Sequence, residues 1–93
     1  MIEITDWARD ILTKAEGAAR RFNPDARIRL ARVAGAVEAT FVEAPLPGDL
    51  EVRIGEVALY VEVGLQGLLD VEEPHDRLVL RPAGSAPNVR AAH

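Results

Sequence analysis

Cysteine is absent from this chain of 93 residues. Without a thiol, the chain can form no disulfide and offers no thiolate nucleophile. It also cannot bind zinc or an iron–sulfur cluster through sulfur. The missing cysteine leaves the redox state of the compartment open, because a chain without thiols is compatible with either state.

Aromatic residues and long apolar runs are scarce as well. Only 4% of the residues are aromatic while 48% are hydrophobic, so aliphatic side chains must form most of the core. A chain of this length suffices for one domain with one modest core. No apolar run approaches the roughly 18 residues that predict a membrane span. The acidic N-terminal segment does not resemble a secretory signal, so we expect a cytoplasmic protein without a membrane partner.

Basic residues are scarce in the middle of the chain. Residues 33–76 hold ten acidic side chains and one basic one, Arg53, whereas residues 9–32 carry a net positive charge. Nucleic-acid binding needs clustered Lys and Arg to neutralise phosphates, so we expect no nucleic-acid partner. The pattern is typical of solvated faces that keep a domain soluble. A polar surface that docks another protein is the alternative.

Familiar catalytic motifs are also lacking. No hydroxyl residue lies in a GxSxG elbow or beside a histidine in the sequence. The glycines form no GxGxxG or Walker pattern that could cradle a phosphate. Paired carboxylates are plentiful only because the chain is acidic, and no spacing marks an acid–base couple. We therefore assign no catalytic or cofactor-binding residue.

The one local cluster of possible metal ligands surrounds His75. It consists of Glu72, Glu73, His75 and Asp76, with Pro74 among them. A metal site needs three or four ligands that converge on the ion, and consecutive residues of a proline-containing turn rarely do so. We interpret the cluster as a solvated acidic turn and assign no metal ligand. A metal site remains the alternative.

The N-terminal quarter of the chain predicts an amphipathic helix over Thr5–Phe22. Thr5 is a suitable N-cap, and Asn23-Pro24 ends the pattern. Apolar residues recur at steps of three and four, as one helical face requires. They are Ala8, Ile11, Leu12, Ala15, Ala19 and Phe22. Trp7 either packs in the core or anchors an interface, and we favour the core.

A β-hairpin should follow the helix. Arg27–Val33 alternates as a strand does. If Ala34-Gly35 forms a two-residue turn, Leu30 pairs with Ala39 and Ile28 with Phe41, which places the apolar residues of both strands on one face. A slip by one residue would mix core and solvent positions, so the pattern favours this register.

The stretch Val37–Val63 predicts three short strands around which the rest of the chain is arranged. They are Val37–Glu43, Leu50–Ile54 and Val57–Val63. Pro45 and Pro47 cannot donate ladder hydrogen bonds, so the chain should leave the sheet between the first two. Beyond them, Leu65–Val71 carries leucines at helical spacing and predicts a short second helix. Arg77–Arg81 alternates again as a final strand.

Several segments of the chain match known motifs when they are read in order. Ile4–Ala8 is ITDWA, Arg27–Val33 is RIRLARV, and Phe41–Asp49 is FVEAPLPGD; Glu56–Val61 and Leu65–Asp70 follow. They resemble the LTxxA, LRLxV, FxxxPxPxD, GVxVxVD and SLxxLxGxxLD segments of the HesB/IscA family, the A-type carriers of iron–sulfur cluster assembly. The resemblance implies that the chain has the fold of this family, a cytoplasmic setting and a tendency to pair with another chain.

The chain departs from this family at every ligand position. The family's first ligand cysteine lies in an SGCSG-type loop, where this chain has Ala31–Ala36, ARVAGA. Its other two form a CGCG near the C-terminus, where this chain has Ala83–His93 without sulfur. The last hairpin of the family is also shorter in this chain. The resemblance therefore transfers no cluster ligand to any residue here.

Together these patterns predict one α+β domain over residues 1–82 and a flexible tail over residues 83–93. We expect an N-terminal helix and a short second helix on a small, curved, mainly antiparallel sheet or pseudo-barrel of the HesB type. We expect a non-catalytic, cofactor-free protein that binds another protein, with a homodimer as one form and a link to iron–sulfur cluster assembly. Two alternatives remain open: a metal-binding or enzymatic domain that uses carboxylates and His75, and a structural subunit of a larger assembly.

Overall fold

The computed structural model of the protein describes residues 2–73 and 77–85. It begins with strand β1, Ile2–Ile4, and helix α1, Asp6–Arg20. The Thr5 hydroxyl accepts a hydrogen bond from the Ala8 N–H at 3.1 Å, which confirms the predicted N-cap. Trp7 is buried in the core, as we favoured. The prediction that the helix continues to Phe22 is wrong. The helix ends at Arg20, the chain turns there, and Phe22 is 91% exposed.

The first hairpin has the predicted register. Strands β2, Arg27–Val33, and β3, Ala36–Val42, are antiparallel, with Leu30 opposite Ala39 and Ile28 opposite Phe41. The turn between them has two residues, Ala34 and Gly35, at φ 51° and 81°. Positive φ at both positions is typical of a type I′ turn, whose twist matches that of the strands.

The second hairpin completes a four-stranded sheet. Strands β4, Leu50–Ile54, and β5, Val57–Val61, are antiparallel, and β5 pairs with β2 in parallel. The strand order is β3-β2-β5-β4, so β2 and β5 are central while β3 and β4 are edges. The proline-containing segment 43–49 leaves the sheet, as predicted.

A second sheet contains β1 and the last two strands. Strand β6, Gly67–Glu72, lies between β1 and β7, Arg77–Arg81, which is the predicted final strand. The short second helix predicted over Leu65–Val71 is therefore wrong. Residues 68–71 are all buried, because β6 is covered on both faces. Such a central strand has consecutive apolar residues instead of alternating ones. Together with Leu65 just before the strand, Leu68 and Leu69 therefore have a spacing that also fits a helix.

The described residues form an α+β fold, as predicted, with one helix and two sheets. The sheets have three and four strands, and each is mixed, in place of the single mainly antiparallel sheet that we expected. They do not close into a barrel within this part of the chain. One core joins α1 to both sheets and includes Leu12, Leu30, Leu59 and Leu69. Residues 86–93, most of the predicted tail, lie outside the described residues.

Candidate functional site

The two sheets end in four edge strands, and three of these carry features that discourage pairing with another chain. Strand β1 has only three residues, and β7 has an arginine at each end. Strand β4 carries Glu51 and Arg53 and follows two prolines. Short edges, charged side chains and nearby prolines are the usual protection of natural sheets. These three edges are thus poorly suited to a further strand.

Strand β3 is the exception. Its seven residues, AVEATFV, contain one charge, Glu38, and no proline. They include Val, Thr and Phe, which favour extended structure. Within the described residues, β3 pairs only with β2, so its other edge forms no ladder. A regular and nearly uncharged edge of this kind is suited to pairing with another strand wherever β7 does not lie against it.

The core-facing side of β3 is also partly uncovered. Ala39 and Phe41 lie opposite the buried residues Leu30 and Ile28, so all four share one face of the sheet. Nevertheless Phe41 is 56% exposed, and Ala39 is exposed as well. Only Val37, nearer the turn, is buried. The second sheet therefore covers one end of β3 and leaves the other end open.

A cleft lies between β3 and β7, at the seam where the two sheets fail to join. The strands come within 8 Å between Cα atoms, yet no strand ladder links them in the described residues. The cleft has a volume of about 480 Å³. Val37, Leu78 and Leu80 supply its apolar lining, and Arg32, Glu38 and Arg77 supply its charged groups. We call this space the seam cleft.

The two arginines of the seam cleft differ in their bonding. The Arg77 guanidinium donates a hydrogen bond to Glu72 Oε1 at 2.9 Å. Arg32 uses its backbone N–H to reach Glu62 Oε1, but its guanidinium pairs with no group in the part of the chain that the structure describes. Arg32 therefore presents an uncompensated positive charge beside an apolar cleft.

The loop between the two hairpins is held by a buried ion pair. Arg29 donates to both carboxylate oxygens of Asp49, at 2.8 and 3.0 Å, and Asp49 also accepts the Leu46 N–H at 2.9 Å. The hydrogen bond from Arg29 lowers the pKa of Asp49, and the same contact raises the pKa of Arg29. Because these groups satisfy each other, we assign the pair a structural role.

Of the residues singled out as a possible metal site, only Glu72 and Glu73 lie within the described structure. Glu72 forms ion pairs with Arg77 and Arg81, and Glu73 lies in the turn that follows β6. His75 and Asp76 lie outside the described residues. Over residues 2–73 and 77–85, no three His, Asp or Glu side chains converge as metal ligands do. The metal alternative stays an untested prediction.

Asp70 is a buried carboxylate that sequence reasoning missed. It accepts hydrogen bonds from the Thr5 hydroxyl at 3.3 Å, from the Val71 N–H at 2.8 Å and from Arg81 Nε at 3.3 Å. These contacts tie the start of α1 to the second sheet. The only sequence signal was an acidic residue inside an apolar run.

No family model, curated protein or solved structure matches this chain. No helix among the described residues is long and apolar enough to cross a membrane. Function must therefore be inferred from the geometry of β3 and the seam cleft.

Proposed function

We propose that this chain is a non-catalytic protein-binding domain of the cytoplasm, a relative of the A-type carriers that has lost cluster carriage. The order of helix, hairpin, proline-containing loop, hairpin and final strand supports the relationship, as do the segments that resemble those of the family, such as Phe41–Asp49. The missing cysteines support the loss, because iron–sulfur clusters are held mainly by thiolates. A link to cluster assembly through a bound protein is part of the proposal.

The open edge of β3 is the observation that carries the protein-binding function. An added strand gains main-chain hydrogen bonds along a sheet edge, and side-chain pockets give it specificity. Here the edge adjoins exposed apolar side chains, Ala39 and Phe41, and the seam cleft. Covering the exposed half of Phe41 contributes on the order of 1 kcal/mol to association.

Site-specific photo-cross-linking tests this function. A benzoylphenylalanine probe replaces Phe41 in one variant and Leu50 in the other, and each is expressed in cells where the chain occurs naturally. Leu50 is a matched control, because it lies on the opposite edge of the same sheet and is 61% exposed. We expect a protein adduct from position 41 and little from position 50. Adducts from position 50 alone, or from neither, would refute the assignment of β3.

The loss of cluster carriage has its own test. Incubation of the purified chain with iron and sulfide without oxygen, followed by absorption spectroscopy, should leave no bound chromophore after desalting. A stoichiometric cluster on the isolated chain would contradict this part of the proposal, since it would require ligands other than cysteine.

A further inference from the structure

We propose that the seam cleft binds a small aliphatic monocarboxylate, whose hydrocarbon chain lies against the apolar lining and whose carboxylate pairs with Arg32. The inference goes beyond the proposed function, because the ligand is a small molecule and not a protein. The site is also a different part of β3. The cleft lies at residues 36–38, where β7 faces the strand, whereas the exposed apolar side chains of the open edge are Ala39 and Phe41.

The width of the cleft favours a small molecule over a peptide. Strands β3 and β7 come within 8 Å of each other between Cα atoms. A peptide strand between them would need a spacing of about 4.7–4.9 Å on each side, or about 9.5 Å in all. A hydrocarbon chain forms no ladder and fits a narrower space. The cleft volume of about 480 Å³ is within the range of roughly 300–1,000 Å³ that is usual for small-molecule sites.

Three aliphatic side chains form the walls of the cleft. Val37 on β3 is buried, and Leu78 and Leu80 on β7 are half-buried. Among the described residues that line the cleft, none has a hydroxyl, an amide or an aromatic side chain. A sugar or a nucleotide would find few hydrogen-bond partners here to replace those it has in water, which is costly. An aliphatic chain has no such bonds to lose.

The hairpin register places Arg32 beside these walls. Arg32 lies opposite Val37, so the two side chains are on the same face of the sheet. The residues that flank the two-residue turn form a hydrogen-bonded pair, so the next pair, Arg32 and Val37, is not hydrogen-bonded. Side chains of such a pair are close, with Cβ atoms about 4.5–5.5 Å apart. The Arg32 side chain therefore begins next to the apolar wall.

The Arg32 guanidinium is the free charge of the cleft, since it pairs with no group in the part of the chain that the structure describes. Glu62 accepts the backbone N–H of Arg32, but its Oε2 lies 3.9 Å from Arg29 Nη2, on the opposite face of the sheet. A planar guanidinium binds a carboxylate through two parallel hydrogen bonds. A carboxylate is thus the ligand group that matches Arg32.

The other charges of the cleft favour a ligand with a single negative charge. Arg77 is compensated, because it donates a hydrogen bond to Glu72 Oε1 at 2.9 Å. Glu38 lies opposite Ala31, so its side chain is on the other face from that of Arg32. One free cation therefore matches one carboxylate. A dicarboxylate or a phosphate ester would leave a negative charge unpaired beside an apolar wall, which is unfavourable.

Titration of the isotope-labelled chain with sodium octanoate, followed by two-dimensional NMR of the backbone amides, tests the site. We expect saturable shifts in β3 near Val37 and in β7. From butanoate through hexanoate to octanoate, the affinity should rise about threefold for each added methylene, because each buries further apolar surface. The alcohol 1-octanol, which has the chain without the charge, should bind about tenfold more weakly.

Substitution of Arg32 separates the charge from the apolar contacts. Arg32→Gln should weaken octanoate binding by about tenfold and leave octanol binding nearly unchanged. Arg32→Lys should have an intermediate effect, since an ammonium keeps the charge but not the two parallel hydrogen bonds. Arg53→Gln is the matched control: Arg53 is an exposed arginine on the opposite edge of the same sheet, and its loss should not change octanoate binding. Circular dichroism shows whether each variant is folded.

Each other outcome overturns the inference. Octanoate that causes no saturable shift excludes this class of ligand. An affinity that does not depend on chain length, or an equal loss in Arg32→Gln and Arg53→Gln, would mean that the anion binds without a specific site. Saturation at amides outside the cleft would place the site elsewhere. None of these results bears on the proposed function, which cross-linking from position 41 tests separately.

Discussion

Arg29 on β2 and Asp49 in the loop between the hairpins form a bidentate ion pair, with distances of 2.8 and 3.0 Å. The Asp49 side chain is 1% exposed and that of Arg29 is 12% exposed. The pair thus ties the segment 43–49, which makes no strand of its own, to a central strand of the sheet. It also fixes where β4 begins, because Asp49 directly precedes Leu50.

Asp49→Asn should destabilise the protein by about 2 kcal/mol, the scale of a hydrogen bond to a charged group. The amide keeps the shape but loses the charge and one acceptor, which leaves part of the Arg29 guanidinium unpaired. Urea denaturation gives the free energy of unfolding. Glu51→Gln is the control, because its ion pair with Arg53 spans 3.9 Å at the surface and should contribute little. An equal loss in both variants would contradict a special role for Asp49.

The same pair predicts how stability depends on pH. The hydrogen bond from Arg29 lowers the pKa of Asp49 in the folded protein below its ordinary value of 3.8. The stabilisation is therefore fully present above the unfolded pKa and is lost as the pH falls through the folded pKa. We expect the difference in unfolding free energy between wild type and Asp49→Asn to be constant near neutral pH and to shrink below about pH 4. A difference that is unchanged at about pH 2 would refute the assignment.

The sequence predicted the hairpins because each of their strands has one buried face. Alternation identified the strands, and the requirement that Ile28 and Phe41 share a face selected the register that the structure shows. Strand β6 has no such signal, since Leu68, Leu69 and Asp70 are buried on both faces. The parallel pairing of β2 with β5 and of β6 with β1 could not be predicted either, because pairings between distant segments leave no local pattern in the sequence.

The candidate site was only partly accessible to sequence reasoning. Alternation placed Phe41 on the apolar face, but it could not show that the second sheet stops short of it. The absence of Pro and Lys from residues 36–42 is a signal that was available. This absence indicates an unprotected sheet edge only once β3 is known to be an edge strand, and that depends on the strand order. The seam cleft likewise joins strands that are about 40 residues apart in the chain.

The hairpin turn offers a stabilising substitution. Ala34 has φ 51°, a left-handed conformation that is unfavourable for alanine and better tolerated by asparagine. Ala34→Asn creates the Asn-Gly pair preferred in type I′ turns and should raise the unfolding free energy by about 0.5–1 kcal/mol. Ala36→Asn, two residues later in β3, should instead be neutral or destabilising, because asparagine is disfavoured in strands. Thermal denaturation followed by circular dichroism compares the two.

Two glycines should respond oppositely to alanine. Gly67 has φ 125°, and a Cβ there would overlap the backbone oxygen of Arg81, so Gly67→Ala should destabilise by several kcal/mol or prevent β6 and β7 from pairing. Gly17 lies in the C-terminal part of α1, and no atom of the described residues is near an added Cβ, so Gly17→Ala should stabilise by about 1 kcal/mol. Chemical denaturation measures both. Equal effects would show that the close approach of β6 to Arg81 is absent in solution.

Glu16 is a buried carboxylate on α1, one turn beyond the buried Leu12. It is 2% exposed, and its Oε1 has no hydrogen-bond partner in the described part of the chain. Burial of a charged group without a partner costs free energy that an apolar side chain of similar size does not incur. Glu16→Leu should therefore raise the unfolding free energy by about 1–2 kcal/mol. Glu16→Gln, which removes the charge but keeps a polar end, should give a smaller gain, and Glu16→Ala separates packing from charge. If Glu16→Leu is less stable than wild type, the carboxylate must be satisfied in solution and contribute to the fold.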